Sequence, residues 1–154
     1  MSMNDIEKAI DIINSKPDEA DFDGPKDDAL IRAAEKTLGL SFPMTYRYFL
    51  EKLGCGDIAG QEFYGLIKSD FFNSSIPDAV WITMQVRKNS DLPDNYIIIS
   101  STGDGDYVVL NCTKLGIEAP VELWSPGVSG NQPAFKFLAN DFGEFFYKQM
   151  QSIG

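Results

Sequence analysis

The sequence predicts an α+β domain: an antiparallel multi-stranded sheet flanked by N-terminal helices and a C-terminal helix. Apolar residues recur at three- and four-residue steps through roughly the first fifty positions and again near the end, the period of a helix face. Between them lie β-branched runs punctuated by Gly, Asp and Pro. Helices first, strands next and one last helix is an order that segregates helices from an antiparallel sheet. At 154 residues and 44% hydrophobic content, the chain has the size of one domain, residues 1–154, and can bury a core without disulfides or metal.

Each element has a local reason. Met3, Ile6, Ile10 and Ile13 share one face of a first helix, which Ser2 can cap and Pro17 stops. Residues 16–28 read as a Pro/Gly/Asp-rich connection. A second helix is expected over about Asp27–Leu38, with Leu30, Ala34 and Leu38 as its buried stripe and Gly39 at its C-terminal turn. Pro43 opens a third helix carrying Phe42, Tyr46, Phe49, Leu50 and Leu53 at helical spacing, and Gly54 ends it. Phe63–Ile67 is a short strand candidate. Over 78–90, Val80, Ile82, Met84 and Val86 alternate as in a strand, yet Asp78 after Pro77 has the form of a helix cap; the helix is the reading adopted. Tyr96–Ser100 and Tyr107–Cys112 form a hairpin around the Asp-Gly turn signal of Ser101–Asp106. Val121–Trp124 is a further strand, followed by a Gly/Ser/Pro loop through Pro133. From about Asp141 a last helix carries Phe142, Phe145, Phe146, Met150 and Ile153, with Asp141 and Glu144 as a capping box.

Charge narrows the partners. Thirteen Lys and Arg face 23 Asp and Glu, a net of −10. That balance disfavours nucleic acid and anionic membranes and attracts a basic partner. Residues 1–28 hold nine acids and three lysines, a net of −6, and Asp18, Glu19, Asp21 and Asp23 form a run between two helical segments. The two cysteines, Cys55 and Cys112, form no C-x-x-C. The N-terminus lacks the basic and apolar regions of a signal peptide, and no apolar run is long enough to span a bilayer, so a cytoplasmic location is expected. The N-x-[ST] matches at Asn73 and Asn111 then carry no meaning.

Catalytic chemistry finds little support. With no histidine, Ser-His-Asp and Cys-His systems and H-E-x-x-H metal sites are excluded. Gly54–Ala59 matches G-x-G-x-x-A, but a helix precedes it and a strand is expected after it, the reverse of a dinucleotide turn. Asp104-Gly105-Asp106 fails the EF-hand pattern because Leu115 stands where the bidentate Glu belongs, so the pair reads as turn-forming. Asp57 would raise the pKa of Cys55, and Cys112 sits in a strand of buried type, so both thiols read as inert. No catalytic residue, metal or cofactor is expected. Trp124, between a strand and a Gly/Pro loop and two residues from Glu122, is expected to be partly exposed, as an interface aromatic would be.

Taken together, Leu38-Gly39-Leu40-Ser41-Phe42-Pro43, then Tyr46, Phe49-Leu50, Gly54 and Gly56, resemble a signature of the SUKH superfamily, which includes the fungal Smi/Knr cell-wall regulators. Leu92-Pro93, Tyr96–Ser100, Gly103–Tyr107 and Val108–Cys112 resemble its second signature, and the likeness runs over about residues 27–150. Cys55 separates what is commonly a Gly-Gly pair. The resemblance implies an α+β fold and, for bacterial members, immunity proteins that bind and neutralise delivered toxins, many of them nucleases. The alternative it implies is a regulatory or scaffold domain for a peptide or small ligand. Neither requires catalysis. Asp18, Glu19, Asp21, Asp23, Asp57, Asp104, Asp106, Glu122 and Trp124 are the positions expected to face a basic protein toxin.

Overall fold

The computed structural model describes residues 3–112, 118–127 and 134–153. Helix α1 (Met3–Asn14) buries Ile6, Ala9 and Ile13 and lies along the last helix, α5 (Phe142–Ile153). Its expected cap, Ser2, lies outside the described residues. In α2 (Asp28–Leu38) the Asp27 side chain accepts the Leu30 N–H at 2.8 Å, and Gly39 closes the helix at φ 73°. Its buried stripe is Ile31, Ala34 and Leu38: Ala34 and Leu38 are as expected, and Ile31 takes the place of Leu30, which is only partly covered.

Helix α3 (Met44–Lys52) begins after Pro43, which offers no side-chain cap. The missing acceptor comes from far along the chain. Glu118 accepts from the Thr45 N–H at 3.1 Å and from its hydroxyl at 2.9 Å, and the Thr45 oxygen accepts the Gly143 N–H at 3.1 Å. One buried threonine thus joins the first turns of α3 and α5. Ahead of α5, Asp141 accepts the Glu144 N–H at 2.9 Å, the first bond of the expected capping box, while Glu144 reaches one residue further back and accepts the Asn140 N–H at 2.8 Å.

The strands form two antiparallel sheets where one was expected. β1 (Ala20–Phe22), β2 (Gly56–Ile58) and β3 (Gln61–Phe63) make a three-stranded sheet in that order. β1 lies within the stretch read as a connection, and the strand expected from Phe63 ends there. Ala59 at φ 50° and Gly60 at φ 83° form the two-residue turn between β2 and β3. β4 (Tyr96–Ser101), β5 (Tyr107–Asn111), β6 (Val121–Trp124) and β7 (Phe135–Ala139) make a four-stranded sheet in chain order. β7 follows the expected loop, which runs into undescribed residues at 128–133. A bulge sits between Ile98 and Ser100, and there the sheets meet: the Tyr64 N–H donates to the Ile99 carbonyl at 2.8 Å, and the Ser100 hydroxyl donates to the Glu62 carbonyl at 2.8 Å.

Residues 79–89 are helical (α4, Ala79–Asn89) because the Asp78 carboxylate accepts from the N–H groups of Val80 at 2.9 Å and Trp81 at 3.0 Å. Helix α4 covers the outer edge of β4, where the Ile98 N–H donates to the Thr83 hydroxyl at 2.9 Å. The shared core centres on Tyr46, Phe49, Phe142 and Phe146, with ring centroids 5.1–5.9 Å apart in the pairs linking α3 to α5 and within α3. The Tyr46 hydroxyl donates to the buried Tyr64 carbonyl at 2.9 Å.

Phe49 is fully buried, so Phe49→Ala should cost about 3–5 kcal/mol in urea unfolding; a loss near the ~0.5 kcal/mol of a surface change would contradict this packing. A second expectation concerns Glu118. Burial, with Asp141 nearby, raises its pKa above the ordinary glutamate value despite the Thr45 bonds. The stability linked to its protonated form is therefore complete below the unfolded pKa of about 4.3 and is lost as pH rises through the higher folded value. Glu118→Gln cannot lose it that way. The variant should gain on the parent between pH 4 and pH 7 in paired denaturation curves, and a difference independent of pH would contradict the assignment.

Candidate partner-binding surface

The three short strands read Ala-Asp-Phe, Gly-Asp-Ile and Gln-Glu-Phe. Alternation along a strand sends the end residues and the middle residue to opposite faces. Ile58 and Phe63 are buried, and the Phe22 ring meets Phe49 edge-on with centroids 6.3 Å apart. The middle residues must then face outward. Register aligns them: Asp21 opposes Asp57, and Asp57 opposes Glu62. Directly opposed side chains have Cβ atoms about 4.5–5.5 Å apart, so three carboxylates stand in one row and repel. Among the described residues no lysine or arginine forms an ion pair with any of the three.

The neighbouring acids differ. Asp23 pairs with Lys26, whose ammonium also reaches the Ile67 carbonyl at 3.1 Å. Glu19 lies 4.0 Å from Lys16, and Asp18 is exposed in the turn before β1. Of the expected acidic run, Asp21 alone enters the row. Asp57 joins it from β2, and Glu62, which sequence reasoning missed, completes it. The signal for Glu62 was Ala59-Gly60, a two-residue turn that places Gln61-Glu62 back against Asp57-Ile58.

Asp104 is exposed and Asp106 half-buried in the β4–β5 loop. That loop is held by its own backbone and hydroxyls: Thr102 N–H donates to the Asp106 carbonyl at 3.1 Å, and the Asp104 N–H to the Thr102 hydroxyl at 3.2 Å. Gly103 and Gly105 take φ of 85° and 94°, as the turn reading required.

Two expected contact residues make contacts within the sheet. Trp124 is 3% exposed, not partly exposed. It stacks between Tyr107 and Phe135 at 5.9 and 6.2 Å because β7, absent from the sequence reading, covers it. Glu122 accepts from the Tyr96 hydroxyl at 2.9 Å and from the Asn111 side-chain amide at 3.2 Å. Both thiols are held protonated: burial, with Asp23 nearby, pushes Cys55 up to about 11, and burial alone pushes Cys112, just beyond the end of β5, to about 12. Among the described residues, no group of three His, Cys, Asp or Glu is placed to hold a metal ion, and no helix is long and apolar enough to cross a membrane.

A family model described as SMI1-KNR4 cell-wall (SUKH_6) matches residues 28–146. The chain belongs to this SUKH family. The match begins with α2 and ends inside α5, so the SUKH segment contains Asp57 and Glu62, while Asp21 is contributed by β1 outside it. The residues that carry the first SUKH signature, Leu38, Phe42, Tyr46, Phe49 and Leu50, are buried. The signature therefore marks the core of the SUKH domain, and the acidic row is a separate feature laid over it.

An uncompensated like-charge row costs stability in the free protein. Replacing Asp21 and Asp57 by Asn and Glu62 by Gln should raise unfolding stability by about 0.5–2 kcal/mol, summed over two opposed pairs. Destabilisation by the triple substitution would show that hidden counter-charges hold these carboxylates.

Proposed function

We propose that this SUKH domain is a non-catalytic binding protein, an immunity protein that neutralises a basic protein toxin in the cytoplasm. The acidic row Asp21–Asp57–Glu62 carries the proposal. It sits on an outward sheet face of a chain with net charge −10, and a cationic partner would relieve its mutual repulsion. Nucleic-acid-cleaving toxins present basic surfaces because they hold phosphates. An acidic sheet face matches such a surface in charge and can occlude it without chemistry of its own. The protonated thiols and the lack of histidine agree with a role that needs no proton shuttle or nucleophile. Family membership supports the domain type, and the charge row supports the class of partner.

Growth rescue on co-expression with a basic nuclease toxin domain, taken from the reading frame beside this gene where that frame encodes one, followed by co-purification, tests the reading directly. Failure of the parent to rescue or to bind would overturn it. In stopped-flow association, the Asn/Asn/Gln triple variant should bind about tenfold more slowly at low salt with a similar off-rate. The gap should close as salt shortens the Debye length to about 3 Å at 1 M. Stabilising the fold while slowing the encounter would mark the row as retained for binding.

A further inference from the structure

Where the two sheets and α5 meet, a groove of about 670 Å³ opens to solvent. Val108, Leu123 and Leu138 line it from three neighbouring strands, and Val108 and Leu123 are cross-strand partners. Phe145 lines it from α5, and Ile76, 45% exposed, lines it from the segment before α4. Glu62 is its one charged lining residue among those described. Ser100 fixes the Glu62 backbone through its 2.8 Å bond to the carbonyl. Thr102 and Gly103 also line the groove, so Asp104 and Asp106 extend the negative charge along that end. Lys136, the cross-strand partner of Leu123, shares its sheet face and stands beside the floor on β7, so Glu62, Asp104 and Asp106 set the charge only at the opposite end.

Three adjacent strands span about 10 Å, and an extended chain rises about 3.3 Å per residue, so the apolar floor suits about three residues of extended protein. Hydroxyls and amides at its edges can meet a peptide backbone. We propose that this groove takes an extended segment of the partner protein, with a Leu, Ile or Val side chain on Leu123 and Leu138 and a neighbouring Lys or Arg directed to Glu62. Charge complementarity chooses the partner's chemistry, and the apolar floor supplies the contact area that the acidic row lacks. This deepens the protein-binding reading above and rests on it.

The test uses the ¹⁵N-labelled protein and the probe acetyl-Arg-Val-Lys-Leu-Arg-amide. Amide signals of Glu62, Thr102, Leu123 and Leu138 should shift saturably with a Kd of about 1 mM or tighter. The same peptide with Glu in place of its basic residues should bind at least about tenfold more weakly, which the charge argument requires. Glu62→Arg, an exposed change that leaves the core intact, should invert that preference, and Leu123→Arg should abolish binding. Shifts confined to other surfaces, equal binding of the acidic peptide, or equal binding of arginine amide alone would each overturn the groove assignment. Toxin rescue separates the two proposals. A parent that rescues and a folded Leu123→Arg variant that rescues equally would sink the groove and leave immunity standing; a parent that fails to rescue but shifts as described would do the reverse.

Discussion

The contact between α3 and α5 through edge-on and tilted aromatic rings constrains almost everything else in the molecule. Tyr46 and Phe49 present rings to Phe142 and Phe146, and Phe146 passes the contact on to Phe63 at 4.9 Å. Such rings bury large areas and favour these geometries over face-to-face overlap. Because Phe63 and Phe22 dock on the same block, the three-stranded sheet has no choice of which face turns inward. A one-residue slip would bring carboxylates against the aromatics.

That constraint explains why the acids line up. Phe22, Ile58 and Phe63 at the strand ends turn to the core, and the middle position of each three-residue strand, on the opposite face, holds Asp or Glu. Close approach of backbones helps to hold the arrangement. A Cβ on Gly65 would lie 1.8 Å from the Gly54 carbonyl oxygen, so β3 can return past the end of α3 only with glycine there. The fold tolerates the resulting repulsion because the aromatic block stabilises the sheet from its other side. Core packing and exposed charge are thus assigned to opposite faces of the same nine residues.

How much was legible follows from element length. The helices were read closely wherever a periodic stripe or a capping residue marked them: Asp78 and Asp141 accept backbone N–H groups where expected, and Asp27, read only as the start of α2, caps it as well. Three-residue strands leave no periodicity to detect, so β1 and β2 passed as connections and the aligned carboxylates stayed hidden. Asp21 and Asp57 were chosen on charge alone, and their neighbourhood depended on pairing between segments over thirty residues apart. Trp124 was misread for a related reason. Its exposure is decided by β7, whose Phe-Lys-Phe-Leu-Ala stretch alternates too weakly to announce a strand.

The cap that Glu118 lends to α3 has a consequence for dynamics. Most helices carry their own first-turn acceptor and can form locally, but α3 receives its acceptor across 73 residues of sequence. Release of the segment ahead of β6 would leave the Thr45 amide without its partner and free the hydroxyl that accepts from Gly143. The first turns of α3 and α5 would then open together, as one cooperative unit in hydrogen exchange and not as two fraying ends.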